Sequence, residues 1–307
     1  MSDSLHIHDA VIVGGGPAGI SCALECHESG LDVVVLERAD RVGGQASLIP
    51  SAVYNYAAGY FENGEALRDE MENVAKLFLS ERIRTSCNVL SVDLARKEIV
   101  TSKGTFRGKT IFLATGYRIR ELDLSVPEDF VDDVCYRSGI YGEELRGKEV
   151  AIIGGGDSAV FTALDLAEYC SRVTVLARAS RFKARPDIVA RMKHHQHIEV
   201  HTNSVVTKLL GHQHLESVLV SNAASNFEIK CSKLIAKLGY VPNTELFVEQ
   251  LGSSRGHILV DQSFATSVDG VFAGGDIVQP GYDRIAFAAG SGMMAARSIR
   301  IFLGHTP

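Results

Sequence analysis

Two stretches of the chain repeat one pattern of apolar and polar positions: HDAVIVGGGPAGISCALECHESGLDVVVLERADR at 8–41 and KEVAIIGGGDSAVFTALDLAEYCSRVTVLARASR at 148–181. Each opens on a short β-branched run, which reads as a strand of a buried parallel sheet. A glycine-rich turn follows, then apolar residues at helical spacing for about four turns, then a second β-branched run. Strand, helix and strand in that order form a βαβ unit. The two copies align without a gap, so the pattern predicts an α/β fold containing two Rossmann-like, three-layer dinucleotide-binding domains. Further along, VFAGGDIV at 271–278 reads as another buried strand. Ile285 to Leu303 reads as a helix whose early turns, AAGSGMMAA, are built of small residues.

The glycine spacing carries the chemistry. Gly14 permits the tight turn, Gly16 lets backbone approach a pyrophosphate, and Gly19 allows close packing of helix on strand. The helix start then offers free N–H groups and its positive dipole end to an anion. Glu37 closes the next strand, where a carboxylate can accept both hydrogen bonds of an adenosine ribose diol, as in FAD or NAD. In the second copy Gly154, Gly156 and Ala159 repeat the turn, joined by Asp157 and Ser158 at the helix start. Ala177 and Arg178 stand where Glu37 and Arg38 stand in the first. With Arg181, Lys183 and Arg185 nearby, this strand end is cationic, which favours the 2′-phosphate of NADP over NAD; the alternative is a solvated basic face.

Composition narrows the rest. At roughly 150 residues per domain, the 307 residues suggest two domains. A net charge of −6 from 31 basic and 37 acidic side chains disfavours nucleic acid as a partner. No apolar run approaches membrane-spanning length, and MSDSLHIHDAVIV lacks the features of a signal peptide, so a cytoplasmic location is expected. The six cysteines include no C-x-x-C and are expected to be reduced. Cys22 and Cys26 fall on one helix face as small core residues. His194, His195, His197 and His201 crowd the segment KHHQHIEVH, yet the surrounding pattern does not complete a metal site, and none is expected. His6 and His8 read as exposed terminal residues. Tyr54, Tyr56, Tyr60 and Phe61 could stack beside a planar ring or fill core.

The ordered landmarks GGGPAG (14–19), GGQ (43–45), ATG (114–116), GGGDSA (154–159), GYVPNT (239–244), TSVDGVFAGGD (266–276) and YDRIAFAAGSGMMAA (282–296) run nearly end to end. In these the chain resembles the thioredoxin-reductase-like, two-dinucleotide-binding flavoproteins. That resemblance implies a discontinuous FAD domain, residues 1–117 and 246–307, with a nicotinamide-nucleotide domain at 118–245 inserted between. It places FAD against Gly14, Gly16, Pro17, Ala18, Gly19, Glu37 and Arg38, with Gly44, Gln45 and Asn55 wrapping the flavin. It also sets Ala114, Thr115 and Gly116 beside FAD, at a strand end that closes the first domain, although a plain turn fits them equally well. Gly275 and Asp276 meet the ribityl chain, and Arg284, Ile285 and Ala288 begin the helix beneath the flavin edge. Gly154, Gly156, Asp157, Ser158, Ala159, Arg178, Arg181 and Lys183 would hold NADPH, NADH or a second flavin.

The chain leaves the thioredoxin-reductase pattern at one informative place. Where those enzymes carry a C-x-x-C that relays electrons from flavin to a protein disulfide, this chain reads Cys135, Tyr136, Arg137, Ser138. A hydroxyl cannot replace the second sulfur. In lacking the relay the chain is similar to the ferredoxin- or flavodoxin-NADP reductases of the same scaffold, although it ends at IFLGHTP without their extension over the flavin. The resemblance therefore implies a flavin-dependent NAD(P)H oxidoreductase, a homodimer, serving a small carrier protein. A thiol reductase using Cys135, a two-flavin relay and a non-enzymatic flavin sensor are the alternatives.

Overall fold

The computed structural model of the chain describes residues 6–57, 59–136, 143–278 and 283–305. The chain divides into two compact units, one of residues 1–118 and 241–307 and one of residues 119–240. In unit one, β1 (Ile7–Val13), α1 (Pro17–Glu28) and β2 (Val33–Leu36) build the first repeat. Helix α2 (Gly64–Leu79) leads to β3 (Ile83–Arg84), β4 (Val89–Asp93), β5 (Glu98–Thr101) and β6 (Gly104–Leu113), and β7 (Tyr117–Ile119) carries the chain out.

Unit two opens with β8 (Val134–Cys135), and β9 (Glu149–Ile153), α3 (Asp157–Leu166) and β10 (Arg172–Ala177) build the second repeat. Then follow α4 (Pro186–Lys193), β11 (Ile198–Thr202), β12 (Val205–Gly211), β13 (Leu215–Ser221), β14 (Asn226–Lys230) and β15 (Lys233–Ala236). The chain returns through β16 (Tyr240–Pro242), which pairs with β7. Unit one is completed by β17 (Ser253–Ser254), β18 (His257–Ile258), β19 (Val271–Ala273) and α5 (Ile285–Phe302).

Burial on both faces explains why the strand cores are continuously apolar. The main sheet of unit one has the order β3-β2-β1-β6-β5-β4, with β19 also on β6. Strand residues point alternately to opposite faces. Ala10, Ile12, Val33, Val35 and Phe112 accordingly join one cluster with residues of α1 and α5. Val11, Val13, Val34, Leu36, Ile111 and Leu113 join a second with Phe247, Leu251 and Ile277. Unit two repeats the device around the parallel order β11-β10-β9-β15-β8. Val150, Ile152, Val173 and Val175 pack on α3 and α4, while Ala151, Leu176 and Leu234 pack on the antiparallel strands β12, β13 and β14. Helix α3, at ten residues, is shorter than the four turns expected from the pattern.

The return to unit one comes at 240/241 rather than at the 245/246 boundary drawn from the sequence, because Asn243 and Thr244 are tied into unit one. The Asn243 amide donates to the Thr115 carbonyl at 2.9 Å, the Thr115 hydroxyl donates to the Asn243 carbonyl at 2.6 Å, and Thr244 donates to Gly256 at 2.8 Å. Among the described residues no helix is long and apolar enough to cross a membrane.

The small residues of α5 divide between two tasks. Ser291, Gly292, Ala295 and Ala296 are buried. A Cβ at Gly292 would lie 2.0 Å from the Ala18 carbonyl oxygen, so this glycine is what lets α5 reach α1. The buried half of this stretch serves helix packing. Gly292→Ala is expected to lower stability by about 1–3 kcal/mol through overpacking. A thermal-denaturation midpoint several degrees below wild type checks this, with exposed Met293→Ala remaining near wild type.

Candidate nucleotide-binding sites

Four parallel strands set the first site. β1 pairs in parallel with β2 and β6, and β6 with β19, so the carboxyl ends of all four lie at one sheet edge. Gly14, Glu37, Ala114 and Gly274 directly follow them. Strand β1 lies between neighbours that continue in opposite directions through the sheet, the switch point where open α/β sheets receive ligands.

The glycines of the turn do different work. Gly14 has φ +109°, and a Cβ there would meet the Ala114 carbonyl oxygen at 2.3 Å; one at Gly19 would meet the Gly14 carbonyl oxygen at 1.8 Å. Both are required by the protein's own packing. A Cβ at Gly16 would touch nothing nearer than Gly44 Cα at 3.9 Å, which leaves room for an incoming phosphate. Gly16 caps α1, Pro17 begins it, no side chain caps it, and its first turn holds no acidic residue. The N–H groups of Ala18 and Gly19 thus remain for an anion. The turn has the free donors and the space that a pyrophosphate needs.

Glu37 is buried and already engaged. Its two carboxylate oxygens accept the Gly15 N–H at 2.6 Å and the Ala39 N–H at 2.7 Å. The side chain expected to meet a ribose also braces the glycine turn, and each oxygen keeps one lone pair for a hydroxyl. Arg38, beside it, is exposed. The GGQ loop adds a second brace, since the Gly43 N–H donates to the Gly15 carbonyl at 2.8 Å. Gly43 and Gly44 both have positive φ, and the Gln45 amide donates to the Tyr117 carbonyl. Ala114 is buried, and Thr115 and Gly116 are locked to Asn243, so ATG is the fixed link from the end of β6 to β7. Asn55, Tyr54 and Tyr60 are exposed, whereas Tyr56 and Phe61 pack with Ala46, Val53 and Leu67.

At the end of β19, Gly275 (φ +69°) donates its N–H to the Ser291 hydroxyl at 2.8 Å, which itself donates to the Ala288 carbonyl at 2.7 Å. This holds the next residue, Asp276, beside α5. Burial, with Asp283 adding repulsion, pushes the Asp276 carboxyl up to about 6. Helix α5 begins at Ile285 after exposed Arg284, with no side chain capping it. A Cβ at Gly290 would meet open space. The open half of α5 and its positive end therefore border the same edge as Asp276.

The second turn is built alike with a different charge. A Cβ at Gly154 (φ +151°) would lie 2.5 Å from the Lys237 carbonyl oxygen, and one at Gly156 would meet open space. Ala159 is buried and Ser158 exposed. Asp157 opens α3, and its carboxylate accepts the Arg185 N–H at 2.8 Å while facing Arg185 Nε at 3.5 Å. The Lys183 N–H donates to the Gly155 carbonyl at 2.7 Å, which folds the basic segment onto the turn. Arg178, Arg181 and Lys183 are exposed, and among the described residues none has an ion-pair partner. Lys237 was not singled out by the pattern. It sits against this turn, donates to the Tyr136 carbonyl at 3.0 Å, and is lowered by burial to about 8.

Residues 8–292 match the pyridine nucleotide-disulphide oxidoreductase family. The chain belongs to that family. Its members are flavin-dependent NAD(P)H oxidoreductases that bind FAD and NAD(P)H. The chain is 30% identical to a thioredoxin reductase of Treponema pallidum over 96% of its own length and 97% of that protein's. It is 31% identical to an NADH dehydrogenase of Bacillus subtilis over 94% of its length, but spans only 57% of that relative. Its structure resembles crystalline Lactococcus lactis thioredoxin reductase with TM-score 0.78 and 27% identity, covering 97% of this chain and 99% of the other.

Against this oxidoreductase background the thiols stand out by their placement. All six cysteines are free and buried. Cys135 lies on β8 within the core of unit two, and Arg137 and Ser138 lie outside the described residues, as does Tyr282 of the last landmark. Cys22 and Cys26 touch one another on α1, and burial with that contact raises the Cys22 thiol well above its ordinary value. Such a thiol is held in its unreactive form. Of the histidines of KHHQHIEVH, His201 pairs with Glu199 at 2.8 Å, His195 faces Glu168 at 3.7 Å with the His197 ring 5.9 Å away, and His194 bonds the Ala190 carbonyl. His8 departs from its expected exposure, being only 16% exposed and bonded to Asp32.

Proposed function

We propose that unit one holds FAD, that unit two holds a nicotinamide nucleotide with NADPH preferred, and that electrons pass from NADPH through the flavin to an external acceptor. The favoured acceptor is a small one-electron carrier of the ferredoxin or flavodoxin type, and the enzyme works as a homodimer. The carrying observation is that Cys135 is a free, buried thiol of β8, held in the core of unit two. Support for NADPH comes from Arg178, Arg181 and Lys183, exposed cations at and just after the end of β10 that have no ion-pair partner among the described residues and match a 2′-phosphate.

When bound, FAD supplies a ring that accepts a hydride and releases the pair one electron at a time. The chain's own contribution is positioning. The α1 N–H groups hold pyrophosphate at Gly16, Glu37 keeps the turn in shape, and Asp276 accepts a hydrogen bond from a polyol hydroxyl. The start of α5 presents positive potential to the flavin edge that gains negative charge on reduction.

Anaerobic stopped-flow absorbance of the purified holoprotein tests the reading. NADPH should bleach the flavin band within seconds and faster than NADH, and reoxidation by a carrier protein should be unchanged in Cys135→Ser. Flavin that stays oxidised with both nucleotides, or a Cys135→Ser variant that loses turnover, would reject it.

A further inference from the structure

We propose that His6, His8 and Asp32 form a binding site for a divalent transition-metal ion of the zinc type, at the end of β1 remote from its glycine turn. His6 and His8 are two apart along an extended segment, so their side chains share one side of it. Asp32 reaches them from the start of β2. It is anchored there by its backbone: its N–H donates to Asp9 Oδ2 at 3.0 Å, and its carbonyl accepts the N–H groups of Asp9 and Ala10 at 2.8 and 3.2 Å.

Three ligand atoms converge. His6 Nε2 lies 2.7 Å and His8 Nδ1 3.0 Å from the same oxygen, Asp32 Oδ2, and all three atoms fall within 4.8 Å of one another. The two rings meet edge to face, with centroids 4.5 Å apart. Zinc–ligand bonds of roughly 2.0–2.1 Å put tetrahedral ligands about 3.3 Å apart, so the two His–Asp separations would open by roughly 0.3 and 0.6 Å while the two imidazole nitrogens, within 4.8 Å of each other, settle to that same spacing. Binding would move each imidazole proton to the other ring nitrogen and leave a lone pair on the metal.

The surroundings suit an ion of this class. Two imidazoles and one carboxylate match zinc and its neighbours rather than calcium or magnesium. His6 is 70% exposed, which gives an entry path and room for water as a fourth ligand. Asp9, the neighbour of His8 on the strand, is committed to Lys109 at 2.8 Å, and Arg84 stands on the His8 side. The histidine-rich segment after α4 brings no comparable trio together among the described residues. The strand rise of about 3.3 Å per residue along β1 separates this cluster from the glycine turn, so metal and nucleotide do not compete. An ion here would clasp the residue before β1 to β2 and stabilise unit one by mass action.

The test is calorimetric titration of the chelator-treated full chain with Zn²⁺, beside the visible spectrum of the Co²⁺-loaded protein. One saturable site per chain is expected, with tetrahedral cobalt bands. His6→Gln, a substitution at an exposed position, and Asp32→Asn should each weaken zinc by more than the ~10-fold that loss of an outer-sphere partner costs, and should abolish the cobalt bands. His201→Gln should change neither. Absence of a saturable site, survival of binding in His6→Gln and Asp32→Asn, or its loss in His201→Gln would each overturn the proposal. Far-UV circular dichroism of every variant separates lost ligation from lost fold.

Discussion

Glu37→Ala is expected to strip the chain of its flavin and to lower its stability by roughly 2–4 kcal/mol, because it removes two hydrogen-bond acceptors at once. The Gly15 N–H is enclosed, and without Glu37 Oε2 it has no partner in its place. The Ala39 N–H lies nearer solvent, and water can take over part of its bond. The turn that Glu37 braces is also the one we propose as the pyrophosphate cradle, so the stability loss and the binding loss share one cause. Glu37→Gln keeps a single acceptor and should fall between. Denaturant midpoints and the FAD-to-protein ratio after gel filtration check this. A Glu37→Ala protein that is yellow and unfolds with wild type would show that the turn holds its shape without the carboxylate.

Asp276→Asn is expected to move stability and cofactor affinity in opposite directions. The native carboxyl titrates near 6 against an ordinary value of 3.8, so between those values the folded apoprotein holds a proton that the unfolded chain has released. Stability then falls as pH rises through that window, and the loss is complete above it. Removing the carboxylate should therefore raise apoprotein stability at pH 7 by on the order of 2 kcal/mol, with the variant and wild-type curves converging below about pH 4. The same substitution removes a charged acceptor for a polyol hydroxyl, worth about 1.5–3 kcal/mol, and should weaken FAD roughly 10- to 100-fold. Apoprotein melts across pH, with flavin-fluorescence titrations, measure both arms. A variant less stable than wild type at pH 7, or one that binds FAD equally well, would contradict the assignment.

The two residues show how differently parts of the site were legible. Glu37 was visible as a carboxylate at the end of a strand after a glycine turn, but its bonds to Gly15 and Ala39 were not, because both donors are backbone groups that carry no side-chain signal. Asp276 was visible as the lone acid after a buried strand, and its raised titration follows from that burial. Asn243 was spelled out in GYVPNT, yet its reciprocal bonds with Thr115 join positions 128 apart in the chain. Lys237 carried no pattern at all: it reaches the second turn only because β15 lies beside β9.

The repeated strand, turn and helix, the need for glycine at the turns and the charge difference between the two strand ends are local properties. Spacing, side-chain volume and charge state them within some thirty residues, and so they could be read from the chain before it was folded. Tertiary structure decided what depends on pairing between distant segments. It brought β19 and α5 back to β6 and α1, gave the buried half of α5 to helix packing through Gly292, put Cys135 in a core, and set Asp32 against His6 and His8. Those placements follow from sheet order and close packing, which sum over many weak contacts that no short stretch of sequence contains.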